Sequence, residues 1–310
     1  MPTPVAADTR ELGLELGLLA LRYFAGTDAL HYGLWDEDLP PCLGNIAEAQ
    51  RRYTEFLLTH IPTEATSVLD VGCGAGVVAQ RLVERGHTVT CVSPSAVLAA
   101  RTRERLGDAV EVHECRFEAL ETQAQFDVVL FSESFQYIPM DIALPRARAL
   151  LRPGGKIVIC DFFKTEAAGK GPMGGGHRYT RFAPAVRDAG LEAAVGMDIT
   201  ARVAPTMAVY DQLRAELVGP GSAIIGQYAR AHYPRISRLA AWFMRRRLER
   251  FRRKYLSGER NPQAFSHWKS YRLIVLRARA AASEPVAGRS DTRLSMWWPL
   301  AVGLVGLAEV

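Results

Sequence analysis

The sequence predicts an α/β protein whose centre is a doubly wound, mostly parallel sheet of seven strands. Three observations carry that expectation. Between Ser67 and Asp161 short apolar, β-branched runs alternate with helical stretches, the pattern of βαβ units in a parallel sheet. The first run leads into a glycine-rich loop, Asp70-Val71-Gly72-Cys73-Gly74-Ala75-Gly76, where an open sheet of this kind receives its ligand. The best candidate for the last strand, Tyr271 to Ala278, comes about seventy residues after the sixth, so an insertion must precede it.

Taken in order, Val68 to Val71 predicts the first strand and Val77 to Glu84 its helix. Thr88 to Val92 is the second strand, followed by a helix from Ser95 to Leu106. Val110 to His113 and Phe126 to Phe131 are the third and fourth strands. A helix from Ile142 to Leu151 closes on Arg152-Pro153-Gly154-Gly155, a turn signal, ahead of a fifth strand from Lys156 to Asp161. After the loop from Gly169 to Gly176 comes a helix from Pro184 to Ala189, with Gly190 fitting its C-terminal cap. Leu191 to Ile199 is the sixth strand. Residues 1–62 read as a helical cap over the ligand edge. Residues 63–204 and 269–280 make the sheet domain, 205–268 a helical lid insertion, and 281–310 a tail with an apolar end.

Bulk properties narrow the function classes. The 310 residues are 48% hydrophobic and 23% charged, which excludes a disordered chain. A net charge of +5 is mild and does not by itself imply nucleic acid. The five cysteines are scattered without a CxxC pair, and neither they nor the seven histidines fall at ligand spacing. Reduced thiols in a cytoplasmic protein without a metal site are therefore expected. The segment Met1 to Arg10 is polar and carries Asp8, so it does not read as a secretory signal. Oligomeric state is left open.

Glycines at 72, 74 and 76 let the backbone turn tightly and let a ligand approach closer than a Cβ would allow. Dinucleotide folds use a related pattern, so nicotinamide or flavin binding competes with methyl transfer. Three features decide between them, the first being Asp70, because a carboxylate suits a ligand with an ammonium and a sulfonium better than a pyrophosphate. The G-x-G-x-G spacing and the Arg152 to Gly155 turn point the same way. Together these features resemble the class I S-adenosylmethionine-dependent methyltransferases over roughly residues 60 to 200, which implies a Rossmann-like fold with S-adenosyl-L-methionine as cofactor.

That resemblance implies cofactor contacts from Asp70, Gly72, Cys73, Gly74 and Gly76. The family commonly carries an acid for the ribose after the second strand, but this chain reads Ser93-Pro94, and one hydroxyl is a weaker acceptor. Arg116 replaces the usual acid where the family brackets the adenine, with Phe117 beside it. Ser93 resembles the branch that methylates sterols, tocopherols and phosphoethanolamine. So does the segment Ser132-Glu133-Ser134-Phe135-Gln136-Tyr137-Ile138-Pro139, in which Tyr137 stands where that branch has histidine. Upstream, His31-Tyr32-Gly33-Leu34-Trp35 is similar to the segment that folds over the cofactor, and Asp198-Ile199-Thr200 with Val203 and Pro205 also recurs in the branch.

Methyl transfer is an in-line displacement from a sulfonium, so positioning and exclusion of water matter most. An alkene acceptor would become a carbocation, which aromatic faces stabilise and a carboxylate deprotonates. Tyr32, Trp35, Phe135 and Tyr137 are candidates for the faces and Glu133 for the base. An oxygen or amine acceptor would call on His31 or His177 instead, and Tyr179 joins His177 as a substrate-side candidate. The expected acceptor is a hydrophobic small molecule (lipid, isoprenoid or natural-product scaffold), with C-methylation slightly ahead. The alternatives are N- or O-methylation of a polar metabolite or phospholipid headgroup, and a cyclase that binds the cofactor without methyl transfer. RNA methylation lacks its Asn-Pro-Pro-Tyr type motif.

Two basic or apolar segments remain. From Arg230 to Lys254 arginines alternate with Leu239, Trp242, Phe243, Leu248, Phe251 and Tyr255, so one apolar helix face is expected to pack on the domain, or else to meet anionic lipid or a phosphorylated substrate. The run Met296 to Ala308 is too short to span a bilayer, for which about 20 residues are needed, and reads as a docking tail or a peripheral membrane contact.

Overall fold

The order of strands is set by which runs must be buried on both faces. In the computed structural model, which describes residues 9–169, 171–251 and 257–279, all five residues of β1 (Ser67–Val71) are buried. That strand accordingly sits inside the sheet, between β2 (Thr88–Val92) and β4 (Phe126–Ser132), parallel to both. The full order is β3-β2-β1-β4-β5-β7-β6, with β3 at Val110–His113, β5 at Leu151–Lys164, β6 at Leu191–Asp198 and β7 at Lys269–Ala278. Only β7 runs antiparallel to its neighbours. Strand order reverses between β1 and β4, and the crevice beyond their carboxyl ends is where the fold holds a ligand.

Side chains alternate across the sheet and feed two cores. Val68, Val128, Leu130 and Val158 face α2 (Ile46–Leu58) and α3 (Val77–Glu84), while Leu69, Val129, Phe131 and Ile157 face α5 (Met140–Ala149) and α6 (Phe182–Asp188). Each central position removes a full apolar side chain from water, worth about 1.5–3 kcal/mol for a Val, Leu or Ile.

The predicted elements recur with small shifts that have local causes. α4 (Ala96–Leu106) begins one residue late because Ser95 is its cap, its Oγ accepting from Leu98 N at 3.3 Å. α5 starts two residues early, directly after Pro139. Gly190, at φ +67°, follows α6 in the left-handed region, as expected of the residue that ends a helix. The fifth strand differs most. It starts at Leu151, and the segment Arg152 to Gly155 is a bulge within it, because the register jumps from Phe126 opposite Leu151 to Val128 opposite Lys156.

Ahead of the sheet lie α1 (Thr9–Ala25) and α2, joined by an irregular stretch. Gly33 in that stretch sits where a Cβ would come within 2.5 Å of Ala49 Cβ, so only glycine allows the chain to wedge against α2. Between β6 and β7 run α7 (Thr200–Val203), α8 (Thr206–Leu213), a π-helical turn over Arg214–Val218, α9 (Gly219–His232), α10 (Pro234–Phe251) and α11 (Pro262–Trp268). The apolar face of α10 corrects the sequence expectation. It does not pack on the domain: Leu239, Trp242 and Phe243 are exposed. The side chains of Leu248 and Phe251, the run Arg252 to Tyr255 and the tail 281–310 lie outside the described residues.

Candidate active site

The site begins where β1 stops. Asp70 is the last but one residue of that strand, fully buried, and burial pushes its carboxyl up to about 7. Its Oδ2 is buried without a hydrogen-bond partner, an arrangement costly enough that a ligand cation is the natural counterpart. The loop that follows needs its glycines for separate reasons. At Gly72, φ +79°, a Cβ would stand 2.5 Å from Ser134 Cβ. At Gly74, φ +60°, nothing lies within 4 Å of the Cβ position, so the backbone faces open space.

That space is a cleft of about 430 Å³. Of the residues proposed for the cofactor, Asp70, Gly72, Cys73, Gly74, Ser93, Pro94, Arg116, Phe117 and Ser132 line it. Arg116 is on the exposed rim, whereas Phe117 is buried with its ring edge-to-face on Phe131 at 5.5 Å. Ser93 is buried, and its Oγ accepts from Ser95 N at 3.3 Å, so its hydroxyl is partly committed to its own loop. Gly76 is not on the cleft wall: at φ +79° it starts α3 and abuts Thr102.

Glu133 stands on the same wall, immediately after β4. It is the one non-glycine with positive φ among the described residues, at +56°, a conformation that costs an L-residue about 1–2 kcal/mol. Its N–H donates to Cys160 O at 2.9 Å, and its Oε1 accepts from Tyr32 N and from the Tyr271 hydroxyl, both at 2.7 Å. Burial pushes the carboxyl up to about 8, against the pull of those two donors and with some help from the charge of Asp161. The Tyr271 hydroxyl also lies 2.9 Å from that of Tyr53, which reaches Ser132 Oγ at 3.2 Å. Glu133, Tyr210, Tyr137 and Asp161 all act on the Tyr32 hydroxyl, raising its pKa beyond the effect of burial. A packed cluster of phenols and carboxyls thus adjoins the cleft at Glu133.

His31 lines the cleft but is poorly equipped as a base. Its Nδ1 lies 2.8 Å from Tyr32 O, an acceptor only, so Nδ1 carries the hydrogen; Nε2 meets Thr54 Oγ1 at 3.2 Å. Burial lowers its pKa to about 4, which leaves the ring neutral and weakly basic. Tyr137 lines the cleft from an exposed position. Tyr32 is beside the cleft wall, its backbone on Glu133 and its ring against Phe265 at 5.4 Å.

Four substrate-side candidates are placed elsewhere. Trp35 is buried, with Nε1 donating to Thr206 Oγ1 at 2.8 Å, and fastens the irregular stretch to α8. Phe135 is in the core among Phe131, Phe163 and Phe182. The His177 Nε2 bonds the carbonyls of Phe135 and Ile138 at 3.1 and 2.9 Å, stapling its loop to the turn after β4. Tyr179 carries the Arg272 guanidinium over its ring at 3.8 Å. Each is held by a structural partner away from the cleft.

Other residues were not singled out by sequence. Asp28, Ala29 and Leu30 close the cleft from the irregular stretch after α1, and no local pattern marks them. Tyr271 and Tyr53 reach Glu133 only through the tertiary fold. Asp161 did carry a signal, an acid at the carboxyl end of a predicted central strand. It is buried and pushed up to about 7, and is held by N–H donors from Gln136 at 2.9 Å and Phe162 at 2.7 Å.

Residues 68–155 match the family model described as a methyltransferase domain. Over that stretch the chain is similar to methyltransferase domains. The open Gly74 backbone, the unpartnered Asp70 oxygen and the buried Phe117 ring fit a ligand that is part cation and part nucleoside, the chemistry of S-adenosylmethionine. Among curated proteins, the ubiquinone biosynthesis O-methyltransferase of Xanthomonas euvesicatoria is 32% identical over 142 residues, covering 43% of this chain and 58% of that protein. The same-named protein of Xylella fastidiosa is 30% identical over 122 residues, 37% of this chain and 49% of the relative. The chain therefore spans about half the length of the curated relatives it matches. Among solved structures, the 4+2 cyclase SpnF superposes with a TM-score of 0.64 at 21% identity, over 90% of this chain and all (100%) of that one. Geranyl diphosphate C-methyltransferase from Streptomyces coelicolor gives 0.58 at 17%, over 89% and 100%. At such identities the methyltransferase domain shares with them a fold.

Proposed function

We propose that the protein transfers a methyl group from S-adenosylmethionine to a hydrophobic small molecule, with carbon favoured as the methylated atom and Glu133 as the base. The observation that carries this is the setting of Glu133, a carboxyl on the cofactor cleft with its pKa raised to about 8 and tyrosines around it. A base titrating near neutrality is suited to removing a proton in the transition state. The aromatic cluster behind Glu133, with Phe162 and Phe265 packed against Tyr32, gives that end of the cleft an apolar backing suited to a cationic or apolar acceptor. Resemblance to the sterol and tocopherol branch at Glu133, Ser134 and Pro139 supports the same assignment.

In this mechanism the cofactor supplies an electrophilic methyl when bound. Asp70 and the Gly72 to Gly74 backbone hold its charged end, Phe117 and Pro94 its base, and Ser93 its ribose. Tyr32 and Tyr271 fix one oxygen of Glu133, so that the carboxylate takes the proton at a set position. His31, neutral and doubly bonded, keeps the segment over the cleft in place and excludes water. His31 is weakly basic and His177 is stapled to carbonyls, so neither candidate is set up as the base that an amine or hydroxyl acceptor would call on.

O-methylation is the second reading, favoured by the similarity over 142 residues to an O-methyltransferase. Incubation with methyl-labelled cofactor and hydrophobic, polar and RNA extracts, followed by NMR of the labelled product, separates the two. A carbon-bound methyl in a hydrophobic product is expected. An oxygen-bound methyl would move the assignment to O-methylation, and a cofactor bound without transfer to any extract would leave a non-transferring fold.

A further inference from the structure

Helices of a globular protein ordinarily bury one apolar stripe, and the pair α9–α10 does not. Ser237 Oγ of α10 donates to Ala229 O of α9 at 2.7 Å and fixes the bend at Tyr233. On both sides of that bend large apolar side chains are exposed, among them Ile224 at 66% and Phe243 at 81%. Ile236, Leu239, Ala240 and Phe243 recur at spacings of three and four and so share one side of α10. Arg235, four residues before Leu239, and Arg246, three after Phe243, border that side and are exposed. Residues 219–251 contain seven arginines against one acid, Glu249.

We propose that α9–α10 is the surface by which this protein docks on an anionic phospholipid bilayer. The combination of exposed aliphatic side chains, a tryptophan at 242 and arginines flanking them matches an interface whose outside is negative and whose inside is apolar. A second copy of the chain is a poor occupant, because the like charges of the two pairs would repel. Nucleic acid would use the arginines but give Ile236, Leu239 and Phe243 nothing to bury against. Among the described residues no helix is long and apolar enough to cross a membrane, so the contact is peripheral.

Flotation of the full chain with vesicles of phosphatidylcholine alone, or with about a third phosphatidylglycerol, tests this. The protein is expected to float with the anionic vesicles only, and less as salt rises. Arg235→Ala with Arg246→Ala is expected to weaken partitioning roughly thirtyfold, at about fivefold per arginine. Leu239→Ser with Phe243→Ser should weaken it at least as far, each variant keeping its circular dichroism and its affinity for cofactor. Absence of flotation by the unmodified protein overturns the proposal, as does equal flotation by both variants. A dimer in light scattering that Phe243→Ser dissociates would name a second copy instead, and retention on RNA without flotation would name nucleic acid.

Discussion

Glu133 keeps a left-handed backbone that glycine would adopt without strain, and it does so while its carboxyl is held where water cannot fully solvate it. The pH dependence of turnover follows from that setting. A base must be ionised, so kcat/KM should rise with pH and level off above about 8. Because the Tyr271 hydroxyl favours the ionised form, Tyr271→Phe should move that limb to higher pH, and an unmoved limb would detach Tyr271 from the base. Glu133→Gln should lower kcat by about 10²–10⁴ with cofactor affinity nearly unchanged, measured by turnover and calorimetry side by side. An equal loss of affinity would make Glu133 a binding residue. The sequence could show Glu133 as a candidate because the motif is contiguous. Tyr32 was legible beside it, but Tyr53 and Tyr271 were hidden: they come from two further segments, and nothing local marks them as neighbours.

Apart from the fifth strand, strands and helices between Ser67 and Asp161 were legible to within a residue or two, since burial on both faces writes itself as short apolar runs bounded by turn residues. The extension of β5 to Lys164 was not, because it depends on antiparallel pairing with β7 from Lys156–Arg277 to Lys164–Lys269, a partner more than a hundred residues away. The same distance explains Trp35. Its aromatic face was visible in sequence, but its hydrogen bond to Thr206 on α8 was not. The glycine loop is an element-level constraint with a direct test. Gly72→Ala must place a Cβ against Ser134 at a left-handed φ, and should destabilise the protein by about 1–3 kcal/mol in denaturant titrations while weakening cofactor binding. Gly74→Ala, with open space at its Cβ, should weaken cofactor binding with a smaller loss of stability. Equal effects at the two positions would contradict the division of roles between them.

Across the whole molecule, Asp70, Asp161 and Glu133 place three buried carboxyls around one end of the sheet, with pKa values raised to about 7, 7 and 8. Their ordinary values are about 4. Each therefore binds its proton more tightly in the folded than in the unfolded chain, and stability must fall as pH rises from about 4 toward 8. The cofactor-free protein should show a falling melting temperature over that window, and Asp70→Asn should flatten part of it. Ligand charge supplies the compensation. Because a bound cation prefers the Asp70 carboxylate, affinity for the cofactor should increase with pH where Asp70 titrates. Calorimetric titration of S-adenosylmethionine between pH 6 and about 7.5, in buffers of different ionisation enthalpy, reads this directly. The account predicts tighter binding at the higher pH with net proton release, both reduced in Asp70→Asn; binding that is absent, or independent of pH with no proton released, would contradict it.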